Sequence, residues 1–160
     1  FFKQKTAYEI VDCDWSSDVC SSDLNSPSST KPAIDFSVSL AKDAKFEAGL
    51  RAFLEYRDLG IKQATKGQFR AHVIRVKKGE DHGSLHTTGL HRHLLDFQMI
   101  YILKGWIKFT YEGHGEHTFG PGDCCLQPPG IVHNELDCSD DLELLEITSP
   151  GDYVTSALNK

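Results

Sequence analysis

Residues 91–105 read HRHLLDFQMIYILKG, and residues 122–137 read GDCCLQPPGIVHNELD. Both stretches hold short runs of β-branched and aromatic residues closed by glycine or proline, the texture of strands and turns. His91 and His93 are two apart, so on a strand both imidazoles point to one face. On a strand at 97–103, Gln98, Ile100 and Ile102 share a face. Met99, Tyr101 and Leu103 then look the other way, toward a second sheet or a dimer partner. Gly105 ends that strand. His133 falls on a later strand at 131–135, and Glu135 shares its side. A donor arriving from a distant strand is what a barrel interior needs to close a metal site.

The same texture extends outward. Further strands are expected at 53–57, 69–76, 90–93, 106–111, 116–119, 124–127 and 142–147. Most gaps carry Gly, Pro, Asn or Asp. No helical run separates the strands to make parallel crossovers, so the spacing points to an all-β sandwich or closed barrel. Residues 51–150 form the expected barrel. Residues 25–50 read as a linker (NSPSSTKP at 25–32) and an N-terminal segment, in which 41–50 (AKDAKFEAGL) suggest a short helix ending at Gly49. Residues 151–160 read as a C-terminal tail with one helical turn.

The chain has 160 residues, and 39% apolar with 10% aromatic content rules out a disordered or collagen-like protein. A net charge of −6 argues against general binding to nucleic acid or anionic membrane. No stretch approaches the roughly 18 apolar residues of a transmembrane helix. Residues 1–24 show neither the period of a strand nor that of a helix. KQKTAYEI at 3–10 and DWSSDVCSSDL at 14–24 resemble a translated sequencing adapter. Without that segment the balance is 15 basic to 18 acidic residues, a net −3, with Cys124, Cys125 and Cys138 remaining. Three cysteines make no disulfide framework.

The two opening stretches resemble the paired motifs of the cupin superfamily. The first motif is His-x-His, three or four residues, Glu, six residues, Gly; here it is His91-Arg92-His93, four residues, Gln98, six residues, Gly105. The second is Gly, five residues, Pro-x-Gly, two residues, His, three residues, Asn; here it is Gly122, Pro128-Pro129-Gly130, His133 and Asp137 at those intervals. Leu85 stands where the first motif has an earlier glycine, Asp137 where the second has Asn, and Gln98 where the first has Glu. The resemblance implies a double-stranded β-helix (jelly-roll) barrel and a divalent metal held by His91, His93, Gln98 and His133. It also implies a homodimer and a small-molecule substrate or ligand. The expected setting is cytoplasmic, with no nucleic-acid or membrane partner.

Three imidazoles suit Fe, Zn, Mn, Ni or Cu, so ligand type does not choose the metal. Gln98 adds a carbonyl dipole where Glu would add a charge. The ion then keeps its full +2, which lowers the pKa of bound water and favours an anionic or oxygen-chelating ligand. Relatives of this size include dioxygenases, isomerases, lyases, cyclases and non-catalytic binding or sensor modules, and fold does not select among them. The leading expectation is a metal-dependent, dioxygenase-like enzyme, with Glu135 as general base or as a carboxylate behind the ligands. His82, His86, His114 and His117 read as solvated loop residues. The inward member of Cys124-Cys125 reads as an inert thiol, and Arg70 as part of a solvated basic face.

Overall fold

A computed structural model describes residues 33–49, 51–78 and 88–158. The expectations for residues 1–24, the 25–32 linker, His82, Leu85 and His86 lie outside those residues. Eleven strands follow in order: β1 (Glu47–Ala48), β2 (Leu54–Asp58), β3 (Arg70–Val76), β4 (His91–Leu94), β5 (Phe97–Lys104), β6 (Ile107–Tyr111), β7 (Gly115–Phe119), β8 (Cys124–Leu126), β9 (His133–Cys138), β10 (Glu143–Ser149) and β11 (Val154–Ala157). Among the described residues one four-residue α-helix, α1 (Ile61–Ala64), lies between β2 and β3. Pairing is antiparallel throughout. One sheet runs β1-β2-β3-β10-β5-β8 and the other β11-β4-β9-β6-β7, a jelly-roll barrel.

Alternation sets what lies between the sheets. On β5, Gln98, Ile100 and Ile102 are buried, while Tyr101 and Leu103 are exposed on the other face. On β6, Ile107, Phe109 and Tyr111 turn inward. On β10 the inward phase is Leu144, Glu146 and Thr148. Leu54, Ile74, Val76, Leu142 and Leu144 meet the inward residues of β5 and β6 in one apolar cluster. It fills one part of the barrel, and the polar inward positions gather in another.

Gly105 closes the β5–β6 turn with φ +67°, a conformation that L side chains rarely adopt. A Cβ there would stand 2.8 Å from Leu142 Cα and 2.2 Å from Ser139 Oγ. Gly105→Ala is therefore expected to destabilise the protein by about 2–3 kcal/mol, combining left-handed strain with a backbone clash. Urea titration checks this, and a loss below ~0.5 kcal/mol would contradict it.

The ends of the chain depart from expectation. Residues 41–50 give a 3₁₀ turn at Ala41–Asp43 and then β1 in place of a helix. A ten-residue helix is marginal in water. Here Glu47 and Ala48 pair with Tyr56 and Glu55, and the Phe46 ring packs under the Arg75 guanidinium. The expected turn of helix in the tail is instead β11, which pairs along β4 from Val154↔Leu94 to Ala157↔His91. Paired strands thus reach beyond 51–150 on both sides.

Candidate metal centre

β4 and β9 lie side by side in one sheet, with His91 directly opposite His133. The two-residue strand period brings His93 to the same inward face as His91. One ring nitrogen from each of His91, His93 and His133 lies within 4.8 Å of the others. His91 and His133 are each only 2% exposed.

Each ring is held from behind. His91 Nδ1 lies 2.7 Å from the Gly89 carbonyl, and His133 Nδ1 lies 3.0 Å from the Ile131 carbonyl. A carbonyl only accepts, so each Nδ1 carries the proton and each Nε2 keeps its lone pair. His93 Nδ1 lies 2.9 Å from Thr155 Oγ1 on β11, and the Tyr153 ring meets the His93 ring edge-on. Burial, then the neighbouring imidazoles, push His93 down to about 4. Burial likewise takes His133 to about 4. Both are neutral at physiological pH, the form a metal ligand needs.

Gln98 and Glu135 share a small void with His93 and His133, about 40 Å³ in volume. Gln98 Nε2 donates to Glu146 Oε1 at 2.7 Å, and Glu146 Oε2 lies 2.5 Å from His72 Nε2. Burial raises the Glu146 carboxyl, but the His72 and Gln98 contacts outweigh it and hold the group below its ordinary range. Glu135 shows the opposite balance. Burial pushes its carboxyl up against the lowering influence of Thr88 and Arg51. Its Oε2 is buried with no hydrogen-bond partner among the described residues.

A cavity of about 770 Å³ shares His93, Glu135 and Glu146 with that void, and its wall also includes His91, Arg51, Tyr56 and Tyr153. Arg70, expected on a solvated face, also lines it and pairs with Asp152 at 2.9 Å. His114 and His117 are exposed near the β6–β7 turn. The Cys125 thiol meets the Tyr111 hydroxyl at 3.6 Å and is raised by burial, as an inert thiol would be.

The donor set fits a divalent ion. Three imidazoles converge, two have their lone-pair nitrogens set by backbone carbonyls, and the buried Glu135 Oε2 beside them has no hydrogen-bond partner among the described residues. A cupin-domain family model matches residues 72–148, across both motifs and β3 to β10. Residues 72–148 are a cupin domain. Among solved cupin-fold structures, a polyketide cyclase, RemF, from Streptomyces resistomycificus aligns with TM-score 0.63 at 17% identity, over 78% of this chain and 87% of that one. KdgF from Halomonas sp. aligns with TM-score 0.56 at 17% identity, over 71% and 94%. A sugar phosphate isomerase of the superfamily from Silicibacter pomeroyi gives 0.56 at 17%, over 74% and 80%. At these identities the likeness is one of fold. No curated protein matches the sequence.

Sequence reasoning missed several residues of this cupin site. Thr155 and Tyr153 sit in a segment read as tail. His72 and Glu146 sit on recognised strands in the inward phase. For Glu146 the signal was present: Leu142, Leu144, Glu146 and Thr148 alternate, and a carboxylate in a core phase marks a polar centre. Arg51 had no such signal. No described helix is long and apolar enough to cross a membrane.

Proposed function

We propose that this cupin holds a divalent metal through His91, His93 and His133, with Gln98 as a further donor. It acts on a small anionic or oxygen-chelating metabolite by proton transfer, as a lyase, cyclase or isomerase. The observation that carries this reading is Glu135 Oε2, buried beside His93 and His133 with no hydrogen-bond partner among the described residues. Burial raises that carboxyl above the ordinary carboxylate range, which favours its holding and passing on a proton.

When bound, the ion supplies Lewis-acid polarisation of a substrate oxygen. The protein does the rest. Arg51, on the cavity wall, is the cation placed to orient a carboxylate or enolate. Tyr56 and Tyr153 flank the same cavity, and burial holds both phenols protonated, so both are hydroxyl donors. Glu135 Oε2 removes a proton from a carbon beside the substrate carbonyl and returns it elsewhere on the ligand.

The second reading is a dioxygenase-like enzyme, favoured by the same three-histidine cluster if the ion is Fe. The third is a ligand-binding module without catalysis. The exposed apolar residues Phe97, Tyr101, Leu103 and Leu126 on the outer face of one sheet support a homodimer through that face. The free thiols of Cys124, Cys125 and Cys138 support a cytoplasmic setting.

Hydrogen–deuterium exchange at the acidic carbons of a β-diketone and β-keto-acid panel, followed by NMR in D₂O, tests the first reading. Metal-loaded wild type is expected to catalyse exchange. Glu135→Gln should slow it at least ~100-fold with metal content unchanged. Oxygen uptake by Fe-loaded protein over diketones, thiols and flavonols would favour the second reading. Silence in both assays, with tight binding of a metabolite, would leave the third.

A further inference from the structure

Glu146 has no part in the chemistry above, yet it is a carboxylate only 9% exposed, deep in the barrel. It stands opposite His72 on β3 and Ile100 on β5, one strand period from the Thr148↔Gln98 pair. A buried charge survives only when paired and hydrogen-bonded. Here His72 Nε2 faces one carboxylate oxygen at 2.5 Å and the Gln98 amide donates to the other at 2.7 Å.

That second contact decides an ambiguity in Gln98. The two ends of a primary amide match in size and shape but differ in sign: NH₂ donates and C=O accepts. Either end could meet the histidine void if nothing chose between them. An ionised carboxylate only accepts, so it selects the NH₂ end. With Nε2 held by Glu146, Oε1 is the end of the planar amide that this bond leaves to other partners. A metal ion or a ligand hydroxyl can use a carbonyl oxygen, whereas an NH₂ group repels a cation.

We propose that Glu146, backed by His72, is a positioning residue that locks the Gln98 amide so that its carbonyl oxygen is the atom offered to the three-histidine void. The proposal deepens the metal-centre reading and rests on it only for what the oxygen binds; the amide orientation stands by itself. It also accounts for the neutral residue at position 98. The negative charge that a Glu there would bring sits one hydrogen bond further out, on Glu146, where it steers the donor without neutralising the ion.

The test has a metal-free arm and a metal arm. In ¹⁵N-glutamine-labelled protein with chelator, the Gln98 side-chain amide is identified by its loss in Gln98→Ala. Wild type is expected to show two resolved amide protons exchanging at least ~10-fold more slowly than those of exposed glutamines. Glu146→Met, which removes the acceptor at similar length, should abolish that protection. Glu146→Gln, which keeps an acceptor but no charge, should retain part of it and serves if the Met variant fails to fold. Unchanged Gln98 signals in a folded Glu146→Met, or no protection in wild type, would overturn the lock. In the metal arm, Co²⁺ affinity is read by competition. Glu146→Gln should weaken it ~10–100-fold beside Gln98 and less than ~2-fold beside Gln98→Ala. Equal losses in both backgrounds would show that Glu146 does not act through Gln98. Failure of wild type itself to bind Co²⁺ would sink the metal reading, while the NMR arm would still decide the lock.

Discussion

Converting His91 and His93 together to alanine is expected to cut the metal content of protein purified without chelator from about one ion per chain to less than ~0.1. The two substitutions take away two of the three imidazoles whose nitrogens converge within 4.8 Å. They leave His133 and Gln98, too few strong donors for a tight site. Loss of a group that merely supports a ligand costs ~10–100-fold in affinity, so loss of two ligands should exceed ~100-fold. The fold should survive, because neither ring belongs to the apolar cluster around Ile102; far-UV circular dichroism checks that. His114→Gln/His117→Gln serves as a control for adventitious metal at the β6–β7 turn and should leave the content unchanged. Equal metal in wild type and the His91→Ala/His93→Ala variant would remove the basis of the proposed function.

The largest stability effect is expected at Ile102, whose side chain is 0% exposed. Ile102→Ala should cost ~3–5 kcal/mol, as transfer free energy plus the cavity left behind. Ile102 sits on β5 opposite Leu144 of β10, and its backbone also binds the turn before β8, through Ile102 N to the Asp123 carbonyl and Gly122 N to the Ile102 carbonyl. It is pinned on both sides, so the surroundings cannot collapse readily into the gap. The adjacent outward residue supplies the contrast. Leu103→Ala, on the exposed face, should cost less than ~1 kcal/mol in a monomer. Urea unfolding in chelator reads both values without metal linkage. An Ile102→Ala loss under ~1 kcal/mol would mean that the core is not packed as described. A Leu103→Ala loss that grows with protein concentration would point to the dimer face.

Much of the architecture was legible because strands write a period of two into the chain. The inward set Gln98, Ile100 and Ile102 and the outward set Tyr101 and Leu103 follow from alternation alone. His91 and His93 share a face for the same reason, and Gly105 marks its turn because only glycine tolerates that φ and that close approach. Short elements without a pattern were not legible. Glu47–Ala48 is two residues long, and Val154–Ala157 reads VTSA, which carries no alternation of polar and apolar. Both are strands because the edge of a neighbouring strand, β2 or β4, offered unpaired backbone groups for them to bond.

By itself, the sequence determined that this is an all-β chain with three histidines and a glutamine at cupin spacing, and that the site carries a neutral residue at position 98. Those are matters of residue type and local period. Tertiary structure alone decided what stands behind each donor. Gly89 and Ile131 carbonyls set two tautomers, Thr155 arrives from the last strand to meet His93, and Glu146 with His72 claims the amide end of Gln98. Such partners come from strands far apart in the chain, and hydrogen bonds a few ångströms long depend on register and closure of the barrel, which no local pattern encodes.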